Sequence, residues 1–344
     1  MEYRNFGSSD LRVSVVGFGC WPMGGDRYGS VEDEEEISAV HRALELGITC
    51  FDTAAGYGLG HSEQVLGRAL GPRRKDVVVV SKCGVVWNPA TKTFDRDSSK
   101  EHILKAIDES LANLGTDYLD LFLIHWPDPN TPIEETMTAL KDLIQQGKIR
   151  YAGVSNYLPD RLAEARKTLG IVCNQVGYHL FDRRIERETA PFCRREGMGI
   201  MAYGSLAHGV LTGTMTPENK FEANDWRAGG TAFGLPLFKP GHFEKNLEAV
   251  ERLKAIAKRM GRPLPQVATA WVLREPAVAV ALIGFRRPTE VEAAVEAAGL
   301  KLGPNDLEDV DAISRKVFKR LSAEEEFQPK SGPPNAAGQR TQRG

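Results

Sequence analysis

The chain has little that would tie it to an oxidising, membrane or nucleic-acid setting. Only five cysteines occur in 344 residues (Cys20, Cys50, Cys83, Cys173 and Cys193), widely scattered and with no CxxC pair. An odd, dispersed set reads as reduced thiols and excludes a disulfide framework or a cysteine zinc site. No apolar run approaches the roughly 18 residues that span a bilayer. The opening MEYRNFGSSDLR is polar, with no apolar signal core, so the cytoplasm is the expected compartment. Lys and Arg (44) nearly balance Asp and Glu (46), leaving a net charge of −2 and no pull toward nucleic acid or an acidic membrane. A dinucleotide fingerprint is missing too. VVGFGCWPMGG (15–25) has glycines after an apolar run, but not at GxGxxG spacing, and a proline interrupts it. The acidic run Glu32–Glu36 needs no metal: Ser30 is placed to cap the next helix with Asp33, and the carboxylates complement the helix dipole.

What is present is a regular alternation. Candidate strands fall at 11–19, 47–53, 76–82, 118–125, 149–155, 171–177, 199–205 and 278–284. Several, such as VVVV and LFLI, are apolar at every position, as strands buried on both faces of a parallel sheet are. Amphipathic stretches at 34–47, 100–115 and 133–148 lie between them. With 42% hydrophobic residues and no break in composition, the pattern predicts one closed (β/α)8 TIM barrel, α/β in class, over residues 1–321. Three additions are expected. A hairpin turns at Gly7–Asp10 before the first strand, a long connection (207–243) follows strand seven, and an extra helix (304–321) follows helix eight. The Pro-, Gly- and Gln-rich end, 322–344, is expected to be disordered.

Three strands stop at chemically active residues: Asp52, Lys82 and His125, with Tyr57 five positions past the aspartate. In a barrel enzyme the chemistry lies at these C-terminal strand ends. Neighbouring strands are about 5 Å apart, so the side chains can converge. A free phenol has a pKa of about 10. An ammonium beside Tyr57, held by a carboxylate, is expected to lower that value, and a histidine can orient a carbonyl oxygen. The four read as a general acid built to protonate an oxygen.

The motifs FDTAAGYGLGHSEQVLGRAL (51–70), SKCG (81–84), TDYLDLFLIHWPDP (116–129), GKIRYAGVSNY (147–157) and YGSLAHGVLTG (203–213) resemble, in order, those of an aldo-keto reductase. HWPDP…PIEET, the YGSL loop and MTPENKF are similar to the bacterial IolS-like branch. The resemblance implies an NAD(P)H-dependent oxidoreductase of aldehydes, ketones or sugars, with Asp52, Tyr57, Lys82 and His125 as its tetrad. It implies that Ser155, Asn156 and Gln175 hold the nicotinamide carboxamide and that Tyr203 stacks on the ring. Gly204, Ser205, Leu206, Gly209 and Leu211 would form the loop over the pyrophosphate. Ile283, Gly284, Phe285, Arg286 and Arg287 would meet the adenosine half. Glu290 departs from the family's pattern: a carboxylate there suits the free 2′-hydroxyl of NAD(H). Two arginines suit the 2′-phosphate of NADP(H), which leads while NAD(H) stays open. The substrate is expected among Trp21, Trp87, Trp126 and the long connection, with no metal. Two alternatives stand beside carbonyl reduction: a sugar or polyol dehydrogenase working mainly in oxidation, and a cofactor-binding, redox-sensing regulatory subunit.

Overall fold

In the computed structural model, residues 1–25, 32–222 and 224–324 are described. Strands β1 (Tyr3–Asn5) and β2 (Arg12–Ser14) pair antiparallel, as the turn at Gly7–Asp10 predicts. The run 11–19 is not one strand. It breaks at Val15, so that β3 (Val16–Gly19) can join the barrel. β4 (Cys50–Asp52) and β5 (Val78–Cys83) follow. A second antiparallel hairpin, β6 (Val85–Asn88) and β7 (Thr93–Arg96), then rises from the end of β5. The barrel continues with β8 (Leu119–Ile124), β9 (Ile149–Ser155), β10 (Cys173–Gly177), β11 (Gly199–Tyr203) and β12 (Val278–Gly284). Strands β3, β4, β5, β8, β9, β10, β11 and β12 close in that order, each parallel to its neighbours, so the expected barrel forms.

Helices α1 (Asp33–Glu45), α2 (His61–Leu70), α3 (Lys100–Leu114), α4 (Ile133–Gln145), α5 (Pro159–Arg166) and α6 (Thr189–Arg195) cross between successive barrel strands. The seventh crossover holds the long connection, then α7 (His242–Arg259) and α8 (Leu264–Leu273). After β12 come α9 (Pro288–Val295) and the additional α10 (Pro304–Ser322). Local chemistry explains these limits. Ser99 caps α3 by accepting from the His102 amide, and Gly115, at φ 62°, ends it. The cap of α1 is Glu32, with no side-chain cap bond; Ser30 lies outside the described residues, and Asp33 instead accepts from His61 and Arg68. Residues 325–344, most of the segment expected to be disordered, lie outside the described residues.

Two apolar layers hold the barrel. The inner one includes Cys50, Val80, Leu121, Leu123, Met201, Val280 and Leu282. Phe6, Leu11 and Val13 of the N-terminal hairpin belong to that same cluster, so the hairpin plugs the bottom of the barrel. Arg4 anchors it by donating to Leu273 O (2.9 Å) and Val278 O (2.8 Å). Gly17 makes the close packing possible, since a Cβ there would lie 2.5 Å from Val280 Cγ1. Truncating a fully buried inner residue such as Leu123 to alanine costs about 2–5 kcal/mol. With the bottom plugged, the open end is the one where the strands stop.

Candidate active site

The strand ends bring all four expected catalytic residues together. Lys82, on β5, is 1% exposed, and its Nζ donates to Asp52 Oδ2 at 2.8 Å, Thr53 O at 2.7 Å and Tyr57 Oη at 3.3 Å. Asp52 ends β4 one strand away, and its other oxygen accepts from Gln175 Nε2 at 2.7 Å. His125 follows β8 directly, and its ring meets the Tyr57 ring edge-on with centroids 5.7 Å apart. The four candidate groups therefore come from the ends of adjacent strands in the order β4, β5, β8.

Electrostatics correct one expectation. The Tyr57 phenol is not lowered. Burial pushes it well above its ordinary value, and the Asp52 carboxylate pushes it the same way. Lys82 divides its protons among three oxygens and lies farthest from the phenol. Tyr57 is thus a neutral O–H at physiological pH. Burial, with the Lys82 charge beside it, holds His125 well below the usual histidine value, so its ring is neutral too. Burial raises the Asp52 carboxyl, while Lys82 and Gln175 pull it back.

A cleft of about 560 Å³ runs from these groups across the barrel mouth. Along it Ser155 Oγ donates to Gln175 O at 2.9 Å, and Asn156 Nδ2 donates to His125 O at 3.2 Å. Tyr203 Oη donates to Asn156 Oδ1 at 2.9 Å. These polar groups stand beside the tetrad and face the cleft. Gly204, Ser205, Leu206 and Gly209 line it beyond Tyr203. Gly209 has φ 104°, and a Cβ there would lie 2.7 Å from Met215 Cε and 3.3 Å from Arg227 Nη1, so this turn needs glycine. At the far end the cleft is walled by Ile283, Gly284, Phe285, Arg286 and Glu290. A long slot with amides near the tetrad and a glycine turn at mid-length fits a nicotinamide dinucleotide.

Three expected residues are elsewhere. Leu211 is buried off the cleft, and its amide already donates to Leu206 O at 3.0 Å, so it cannot serve a phosphate. Arg287 turns outward to Glu35 Oε1 at 3.0 Å, so the two arginines do not form the expected clamp. Trp87 packs on Phe94 across the β6–β7 hairpin; Val85 and Phe94 line the cleft in its place. Trp87 shares the strand face of Val85 but lies two residues farther along the hairpin, beyond the cleft. Trp21 and Trp126 line it as expected. The long connection reaches the cleft as expected, through His208, Arg227 and Phe233, none of which the sequence singled out. No periodicity in that connection marks an inward residue.

Residues 15–315 match the description "Aldo/keto reductase family". The chain belongs to the aldo/keto reductase family. It is 35% identical over 316 residues to the aldo-keto reductase YhdN of Bacillus subtilis, covering 91% of this chain and 93% of that one. It is 32% identical over 320 residues to an NADH-specific methylglyoxal reductase of Escherichia coli, covering 89% and 96%. Among solved structures, a glycerol dehydrogenase of Gluconobacter oxydans superposes with a TM-score of 0.83 at 33% identity, covering 95% of this chain and 98% of the other. This reductase is therefore an NAD(P)H-dependent oxidoreductase of carbonyls and the matching alcohols. Among its described residues, no helix is long and apolar enough to cross a membrane.

Proposed function

We propose that the reductase reduces an uncharged aldehyde, ketone or sugar carbonyl with Tyr57 as proton donor, and runs the same step backwards on the alcohol. The observation that carries this is the single ammonium of Lys82, bonded to both Asp52 and Tyr57 at the end of the cleft where His125 stands. A bound nicotinamide supplies the hydride. Neutral His125 donates a ring N–H to the carbonyl oxygen and orients it. Tyr57 gives its proton to that oxygen as negative charge develops there. Lys82, already fixed and dehydrated, stabilises the phenolate left behind without reorganising. Ser155, Asn156 and Gln175 hold the carboxamide end, Tyr203 supports the ring, and Gly204–Gly209 with Arg227 face the pyrophosphate.

The two dinucleotides differ at the adenosine end. Counting two arginines against one glutamate puts NADP(H) ahead, but Arg287 is paired away from the cleft. Glu290 accepts from the Arg286 amide at 2.8 Å, which holds its carboxylate at the rim. A fixed carboxylate repels a 2′-phosphate and accepts from a ribose 2′-hydroxyl. NAD(H) is therefore the better-held form, in line with the cofactor named for the Escherichia coli relative. A place in the IolS-like branch rests on HWPDP…PIEET and the YGSL loop alone. The cytoplasm suits a reductase whose five cysteines are all free and buried. The complete tetrad favours turnover over a purely regulatory role.

The test is Tyr57→Phe. Turnover of any carbonyl should fall to near zero while NAD(H) binding, read by tryptophan fluorescence, stays near wild type. Wild-type rates in that variant would end the mechanism.

A further inference from the structure

Inside the long connection the chain makes one tight hairpin of its own. Ala232 and Leu235 exchange backbone hydrogen bonds of 2.8 and 2.9 Å around Phe233 (φ 47°) and Gly234 (φ 91°). Two successive left-handed residues form a type I′ turn, whose first central position ordinarily takes Asn, Asp or Gly. A phenylalanine there is sterically unfavourable and persists only where its surroundings hold it. They do. Leu235 and Leu237 are buried, Phe238 N donates to Gly230 O at 2.9 Å, and Asn246 Nδ2 donates to Leu237 O at 2.8 Å. The turn is braced from behind, and its tip points into the cleft.

The ring at that tip touches both halves of the site. It lies parallel to Trp126 (6.3 Å, 11°) and to His208 (5.2 Å, 27°). It is 5.0 Å from Tyr203, the proposed support of the nicotinamide. Trp21 bridges it to the proton donor, 6.3 Å from Phe233 and 6.0 Å from Tyr57. The walls at this end are Trp21, Val85, Phe94, Trp126 and Phe233, none of which carries charge.

We propose that Phe233 is a specificity-determining residue: its ring, fixed by the type I′ turn, limits the bulk of the group next to the reacting carbonyl. This rests on the carbonyl-oxidoreductase reading of the cleft. Flat or unbranched neutral carbonyl compounds fit between Trp21, Trp126 and Phe233, whereas a branched substituent beside the carbonyl meets the ring. An apolar wall discriminates by modest factors per methylene. The fixed backbone keeps that wall from yielding.

The test is steady-state kinetics of the full chain with benzaldehyde and with isobutyrophenone, each with NADH and NADPH. Phe233→Ala should raise kcat/KM for the branched ketone relative to the aldehyde by about tenfold. Phe233→Leu should give a smaller shift in the same direction, and it decides the matter if the alanine variant does not fold. A ratio unchanged in both variants overturns the proposal. So does a loss confined to cofactor affinity, measured by fluorescence titration, because the ring would then serve only the dinucleotide. If the wild type reduces neither compound with either cofactor, nor any other carbonyl, the oxidoreductase reading itself fails.

Discussion

Replacing Lys82 with methionine tests the electrostatic centre of the site through stability rather than rate. The Lys82 and Asp52 side chains are 0% and 5% exposed, and their charged atoms are 2.8 Å apart. Methionine fills nearly the same volume but removes the ammonium. Asp52 would keep only the Gln175 amide, at 2.7 Å, against full burial of its carboxylate. Stranding one partner of a buried ion pair costs about 3–5 kcal/mol. With a urea m-value of about 3 kcal/mol/M or more for a chain of this size, the unfolding midpoint should drop by roughly 1–1.5 M. Adding Asp52→Asn removes the stranded charge, and the double variant should recover most of the loss while remaining inactive. The sign with pH follows. In Lys82→Met the folded-state pKa of Asp52 lies above its unfolded value, so folding takes up a proton. The deficit should therefore be smallest at low pH and grow as pH rises through the shifted pKa. Equal midpoints for the single and double variants, or a deficit independent of pH, would refute the argument that the pair is a mutual compensation of buried charge.

Two further outcomes follow from the same geometry. Because Tyr57 is held above and His125 below their ordinary values, kcat/KM for reduction should be flat from about pH 7 to 9. Oxidation, which needs the phenolate, should still be rising at pH 10; a reductive limb with a midpoint near 7 would contradict the assignment. At the adenosine end, Glu290→Gln should tighten NADP+ relative to NAD+ by about tenfold, the effect of removing one partly solvated charge near a phosphate. Arg286→Ala should weaken NADP+ more than NAD+, while Arg287→Ala, already paired with Glu35, should leave the ratio unchanged. Fluorescence titration of the four proteins, wild type included, reads both effects.

The barrel was legible because its signals are local. VVVV and LFLI announce two-sided burial, and Asp52, Lys82 and His125 sit where apolar runs stop, with Tyr57 five positions past the first. The residues proposed to hold the cofactor were singled out through motif order, yet Arg286 and Arg287 show where that ends. Adjacent residues in an extended segment point to opposite sides, and which one faced the cleft depended on whether Glu35, 252 positions away, could take the other. Phe233 was invisible for a related reason. Its position follows from a two-residue turn, a brace supplied by α7 through Asn246, and five aromatic partners, Trp21, Trp126, Tyr203, His208 and Trp226, spread along the chain. No periodic pattern spans such contacts.

The Tyr57 ionisation shows how an expected juxtaposition, present in the fold, can still suggest a wrong charge state. Proximity of Lys82 argued for a lowered phenol pKa, and the contact exists at 3.3 Å. Proximity alone left out two effects. The ammonium is already neutralised by a carboxylate at 2.8 Å, so from the phenol's position the pair is closer to a dipole than to a cation. Burial then penalises the phenolate without a full compensating charge. The consequence is functional. A resting phenolate could not donate a proton to a carbonyl oxygen, whereas a neutral phenol beside an immobilised ammonium can, and the ammonium becomes fully useful only when that proton leaves. Stabilisation that appears in the transition state and not before is what accelerates the chemical step. The same arrangement makes alcohol oxidation the alkaline-favoured direction, which separates the two directions by pH rather than by residue.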